Sequence, residues 1–161
     1  MRYFIKLSYK GTKYHGWQYQ PNAISIQEEL EKVFSLLLKQ KIKITGAGRT
    51  DAGVHAINYI AHFDVNEELA DVNKFIYKAN SFLNEDIAIH DVFEVNKDAH
   101  ARFSPISRTY EYRIHTEKNP FLKDFSYYVR FKLDFDKMNE ASKLLFEYED
   151  FTSFSKLHTD T

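Results

Sequence analysis

Asp51 and Arg49 stand two residues apart in the stretch ITGAGRTDAGVHA, residues 44–56, among three of the protein's five glycines, Gly46, Gly48 and Gly53. Familiar phosphate chemistry does not fit this loop. Gly48 and Gly53 have the spacing of a P-loop, but Val54 and His55 follow where Lys and Ser/Thr would grip a phosphate and its cation. A dinucleotide fingerprint would need glycine at position 51, where the carboxylate of Asp51 would repel an anion. An aspartic-protease loop would need a second acidic copy, and the sequence has none. What remains is one acid beside one guanidinium on a backbone free to turn sharply, since glycine tolerates positive φ. A carboxylate so placed acts chemically only if it is ionised and held in position. A tight turn with a surface ion pair fits the same residues equally well.

The rest of the chain limits the choice. Its 161 residues suit one ordinary domain or two small ones, and 43% hydrophobic with 16% aromatic residues is enough for a buried core. With no cysteine there is neither disulfide nor thiol chemistry, which fits a cytoplasmic location. Seven histidines fall at no metal-ligand spacing, so a metal site is not expected. No apolar run is long enough to span a membrane.

Net charge is −1, but it is unevenly spread. Residues 1–60 carry nine Lys/Arg against four Asp/Glu, residues 61–100 three against nine, and the remainder ten against ten. The glycine loop thus belongs to a segment of charge +5. A cationic face attracts phosphates, although a solvated surface produces the same asymmetry.

The elements that must position the loop are read from periodicity. Tyr3, Ile5, Leu7 and Tyr9 alternate in a strand over 2–9, and a polar and aromatic loop follows. Ser25 opens a capping box, S-I-Q-E, before Ile26, Leu30, Val33, Phe34, Leu37 and Leu38 at helical spacing. A strand at 41–45 leads into the glycine loop, and Ile57, Tyr59, Ala61, Phe63 and Val65 alternate after it. Asp71 caps a helix bearing Val72, Phe75, Ile76 and Ala79, and residues 87–95 form the next strand. The order β-α-β-β-α-β predicts an α+β, ferredoxin-like unit over 1–96 with both helices on one sheet face and the other face open. The aromatic signature of an ordinary RNA-recognition motif is missing from it. Residues 97–161 start a second, incomplete half: a link at 96–106, strands near 107–115 and 126–133, and a helix near 136–147 capped by Asp136.

GAGRTDAGVHA, taken with YKGTKYHGWQYQPNAISIQEELE upstream, ARFSPISRTYEYRIH downstream and EDFTSFS near the end, resembles the tRNA pseudouridine synthase A family. The four motifs occur in the family's order and span residues 3 to about 155. The resemblance implies a cofactor-free isomerase that converts uridine to pseudouridine in the tRNA anticodon stem-loop, near positions 38–40. It implies that Asp51 is the nucleophile, attacking either the ribose C1′ or the uracil ring. It also implies that Arg49 helps open the RNA and hold the flipped-out nucleotide, and that Tyr110 of RTYEY packs against the uracil. Physically, Arg49 suits the task of keeping Asp51 charged once water is excluded. The target base must leave its stack to be reached.

Several residues keep two readings. Tyr110, Tyr112 and Ile114 alternate as core residues of a strand would. Arg102 and Arg108 suit phosphate contact or a solvated strand edge. Within the loop Lys10–Gln20, Lys10, Lys13, Tyr14 and Trp17 could clamp RNA, or Trp17 could anchor the loop to the core; His55 reads as a structural histidine. A non-catalytic RNA-binding or chaperone module of the same fold is the alternative function, and a fragment that packs in an assembly without touching RNA is a third. Asp51 favours the enzyme, because a binder gains nothing from a carboxylate facing phosphates. The resemblance further implies tRNA as partner, a homodimer in the full-length protein, and a cleft between two halves whose later strands lie beyond Thr161. Roles therefore carry over for the positions present, but not activity for these 161 residues alone.

Overall fold

The computed structural model describes residues 1–154 and divides into two compact units, Met1–Thr109 and the chain from Tyr110 onward. The serine that ends the EDFTSFS motif, Ser155, lies outside the described residues.

In the first unit the elements are β1 (Arg2–Tyr9), α1 (Ile26–Leu38), β2 (Ile44–Gly46), β3 (Ala56–Asp64), α2 (Val72–Phe82) and β4 (Ile87–Val95). They form one four-stranded sheet in the order β2-β3-β1-β4, with every neighbouring pair antiparallel. The expected β-α-β-β-α-β succession is therefore present. Both helices begin at the caps the sequence indicates. Ser25 accepts a hydrogen bond from Glu28 N at 3.2 Å, and Asp71 accepts one from Lys74 N at 2.8 Å. The Glu28 carboxylate pairs forward with Lys32 at 3.0 Å.

The apolar faces meet in a single core. Tyr3, Ile5, Leu7 and Tyr9 of β1 pack with Tyr59, Ala61 and Phe63 of β3 under Ile26, Leu30 and Phe34 of α1 and Phe75 and Ala79 of α2. Phe34 meets Phe63 and Phe75 edge to face, at centroid distances of 5.1 and 4.9 Å. Edge-to-face pairs add to the burial energy because ring edges and faces carry opposite partial charge.

Three local expectations need correction. The strand expected at 41–45 shrinks to Ile44–Gly46 because helix side chains capture its first amides: Ile42 N donates to Ser35 Oγ at 2.9 Å and Ile44 N to Glu31 Oε1 at 3.0 Å. In β3, Ile57 does not continue the inward alternation but is 61% exposed. Leu7 pairs with Tyr59 while Tyr9 pairs with Ala56, so a bulge adds one residue there and turns Ile57 outward. The third correction concerns the face expected to be open. Residues 97–104 run back over it, with Ala101 N donating to the buried His62 Nδ1 at 3.1 Å and His100 set edge-on to the His62 ring. Arg2 fastens this return. Its guanidinium holds Asp64 through two bonds of 2.8 and 2.9 Å and donates to the carbonyls of Lys97 and Ala99.

The second unit contains β5 (Ile114–His115), β6 (Tyr127–Tyr128) and α3 (Phe135–Lys143). The long strands expected near 107–115 and 126–133 are reduced to two residues each, paired in parallel. Asp134, not Asp136, caps the helix by accepting from Lys137 N at 3.0 Å, and Asp136 lies in its first turn. Two such short strands and one helix offer little surface to pack against. Phe121, Phe131 and Phe146 accordingly remain exposed, although Val129 is buried.

Candidate active site

The loop from Ala47 to His55 joins β2 to β3, and its backbone is held at several points. Ala47 N donates to Ile60 O at 2.8 Å, and Ala47 O accepts from Arg108 Nε at 2.9 Å. Gly48 N donates to the Tyr59 hydroxyl at 3.3 Å, and that hydroxyl donates in turn to Gly48 O. Thr50 O accepts from Trp17 N at 3.1 Å, while its side-chain oxygen meets the Tyr9 hydroxyl at 3.0 Å. Gly53 N reaches Tyr14 O at 3.3 Å, and Val54 N closes a turn on Asp51 O at 3.2 Å.

Much of this support comes from the loop after β1. Trp17 is 3% exposed and lies against Tyr59 with centroids 4.3 Å apart, so it anchors the loop to the core rather than presenting its ring to RNA. Tyr14 is buried as well. Lys13 pairs with the Asp86 carboxylate at 2.9 Å, which fastens this loop to the start of β4. Gly11 N donates to His55 Nδ1 at 3.0 Å, the structural role read for that histidine. Gly16 has φ +85°, and a β-carbon there would overlap the Thr50 carbonyl oxygen. Gly53 also has positive φ, +81°, but open space around it. Gly46 is needed for a different reason: a side chain would strike Tyr59 and Trp17.

Above this fixed backbone the side chains of Arg49 and Asp51 are both exposed. The arrangement presents one carboxylate and one guanidinium from a single rigid loop to whatever approaches from solvent. Rigid presentation is the chemical property a nucleophile requires, because misplacement by an ångström weakens catalysis strongly.

Arg102 lies in the same unit, half-buried, its guanidinium 5.8 Å from the Phe103 ring centroid. Its carbonyl accepts from Arg108 Nη2. Tyr110 is the first residue of the second unit. It is 74% exposed and precedes β5 instead of lying within it, so in its own unit it is not a core residue. Tyr9, Thr50, Tyr59 and the carbonyl grip of Arg108 were not legible as site features. Alternation marks Tyr9 and Tyr59 as inward-facing, but nothing in spacing shows where an inward hydroxyl finds its partner.

A profile described as tRNA pseudouridine synthase matches residues 6–104, a span that contains Arg49, Asp51 and Arg102. A protein of Bacteroides fragilis named tRNA pseudouridine synthase A is 55% identical over 159 residues, covering 99% of this chain and 63% of that protein. Its namesake in Parabacteroides distasonis is 50% identical over 159 residues, covering 99% and 63%. A more distant one in Chlamydia muridarum is 40% identical over 157 residues, covering 95% and 59%. The chain thus spans about three-fifths of the length of these curated relatives.

Proposed function

The chain belongs to the tRNA pseudouridine synthase family, and from this we propose that it is the part of a tRNA pseudouridine synthase that carries the nucleophile. The reaction is an isomerisation of uridine in the anticodon stem-loop. The C1′–N1 bond breaks, a C1′–C5 bond forms, the hydrogen at C5 leaves as a proton and N1 regains one. Atoms balance without any co-reactant.

Asp51 is the attacking carboxylate in this reading, whether at C1′ or at the uracil ring. Arg49 maintains its charge as the RNA excludes water and holds the extruded nucleotide. Tyr110 stacks on the base, and Arg102 contacts the phosphate backbone. The full-length protein acts on tRNA in the cytoplasm as a homodimer. One observation carries the proposal: Asp51 stands exposed on a loop whose backbone is clamped from several elements, within the matched span. A merely solvated turn has no need of so many supports.

The test is the full-length protein with Asp51→Asn or Asp51→Ala, assayed for tritium release from C5 of uridine in a tRNA transcript. Turnover should vanish while tRNA binding persists, because phosphate contacts supply most of the affinity. Turnover by either variant overturns the assignment of Asp51. Binding without turnover by the wild-type protein would favour a non-catalytic RNA-binding module.

A further inference from the structure

The loop that bears Asp51 is held at its root by two side chains to which the family match assigns no role. Consider the four backbone polar atoms of Ala47 and Gly48, the residues immediately before Arg49. Ala47 N is taken by Ile60 O, within the continuation of the β2–β3 pairing. The other three go to side chains: Ala47 O to Arg108 Nε, and both Gly48 N and Gly48 O to the Tyr59 hydroxyl. A hydroxyl has one proton and two lone pairs, so it can accept from the amide and donate to the carbonyl of one residue. This double bond fixes the orientation of Gly48 and not merely its distance.

Neither side chain is loosely held. Tyr59 is buried between Trp17, at 4.3 Å between centroids, and Tyr9, at 5.5 Å in an edge-on contact. Tyr9 in turn meets Thr50 Oγ1, on the far side of Arg49. Arg108 is tied at its other end by Nη2 to the carbonyl of Arg102. Its Nε lies where it would meet a β-carbon on Gly48 at 3.6 Å. Directed to backbone carbonyls in this way, the guanidinium uses two of its N–H groups within the protein instead of offering them to phosphate.

We propose that Tyr59 and Arg108 are positioning residues for the isomerisation: they hold the backbone atoms of Ala47 and Gly48 and thereby set the path of Arg49 and Asp51. The proposal rests on the reading of Asp51 as nucleophile. It assigns Arg108 to the loop and not to the RNA backbone. It also assigns the Tyr59 hydroxyl a function separate from the packing of its ring.

The two roles separate in single-turnover measurements on the full-length protein with a tritium-labelled tRNA transcript. Tyr59→Phe keeps the ring and removes only the hydroxyl. It should lower the rate constant of the bound complex by about tenfold, within the range expected for the hydrogen bonds it removes, with tRNA affinity nearly unchanged and a fall of only a few degrees in melting temperature. Arg108→Ala should likewise slow the bound complex while leaving affinity and its salt dependence as in wild type. Arg108→Lys, which can still reach one carbonyl, should recover part of the rate. A wild-type rate for Tyr59→Phe overturns the positioning role of its hydroxyl. An Arg108→Ala variant with weakened affinity, a salt slope reduced by about one and a normal bound-state rate makes Arg108 a phosphate ligand and overturns its assignment. Failure of the underlying reading looks different, since it shows as turnover by Asp51→Ala or as none by the wild-type protein.

Discussion

The backbone N–H of Trp17 donates to the carbonyl of Thr50 at 3.1 Å, joining the loop after β1 to the residue directly before Asp51. That bond exists only because Gly16 lets the two backbones come together at φ +85°. The candidate nucleophile is thus supported by residues more than thirty positions earlier in the chain.

Gly16→Ala and Gly53→Ala should therefore differ, although both residues have positive φ. At Gly53 the added methyl enters open space, and only the left-handed backbone costs energy, about 1–2 kcal/mol. At Gly16 the same cost is joined by overlap with the Thr50 carbonyl, which must move. Urea unfolding should show the larger loss for Gly16→Ala, and the tritium-release rate of the full-length protein should fall further with it. Equal effects would mean that the contact with Thr50 is unimportant.

Stability should fall as the solution is acidified from about pH 6.5 toward pH 4. Burial, aided by the nearby Arg2 and His100, lowers the His62 imidazole from its usual value to about 4, and its Nδ1 accepts the Ala101 amide in the neutral state. Between the two pKa values the unfolded chain binds a proton that the folded chain refuses, so stability rises with pH there and is lost as pH falls. The full shift corresponds to at most about 3 kcal/mol. His62→Asn retains an acceptor without the titration and should flatten the denaturation midpoint over this window. Arg2 holds the Asp64 carboxyl below the ordinary carboxylate range, so its contribution is lost only at lower pH.

Residues 1–109 should fold by themselves more stably than residues 1–96. The shorter piece removes Ala101 from His62 and the Lys97 and Ala99 carbonyls from Arg2, leaving a sheet face exposed. Comparison of their urea midpoints checks this. Equal midpoints would show that the return segment adds nothing, and would favour a boundary at 96.

For Tyr110 in the full-length protein, phenylalanine preserves a stacking face and alanine does not. If the ring receives the extruded base, Tyr110→Ala should cost roughly 1–3 kcal/mol of transition-state stabilisation, and more than Tyr110→Phe. Wild-type single-turnover rates for Tyr110→Ala would remove it from the site.

Much of this protein was determined by the sequence alone. The period-2 run at β1, 3.6-period faces after Ser25 and Asp71, and the concentration of glycine around Arg49 and Asp51 are local signals, and local physics reads them. Tertiary structure decided what depends on partners distant in sequence. Ile57 faces outward because β1 and β3 slip by one residue, and the strand before the glycine loop is short because Ser35 and Glu31 take its amides. Likewise, Trp17 is an anchor because Tyr59 lies 4.3 Å away, and the supposedly open sheet face is covered because Arg2 and His62 offer hydrogen-bond partners to residues 97–101. Periodicity states which way a side chain points; only the folded chain states which atom waits for it there.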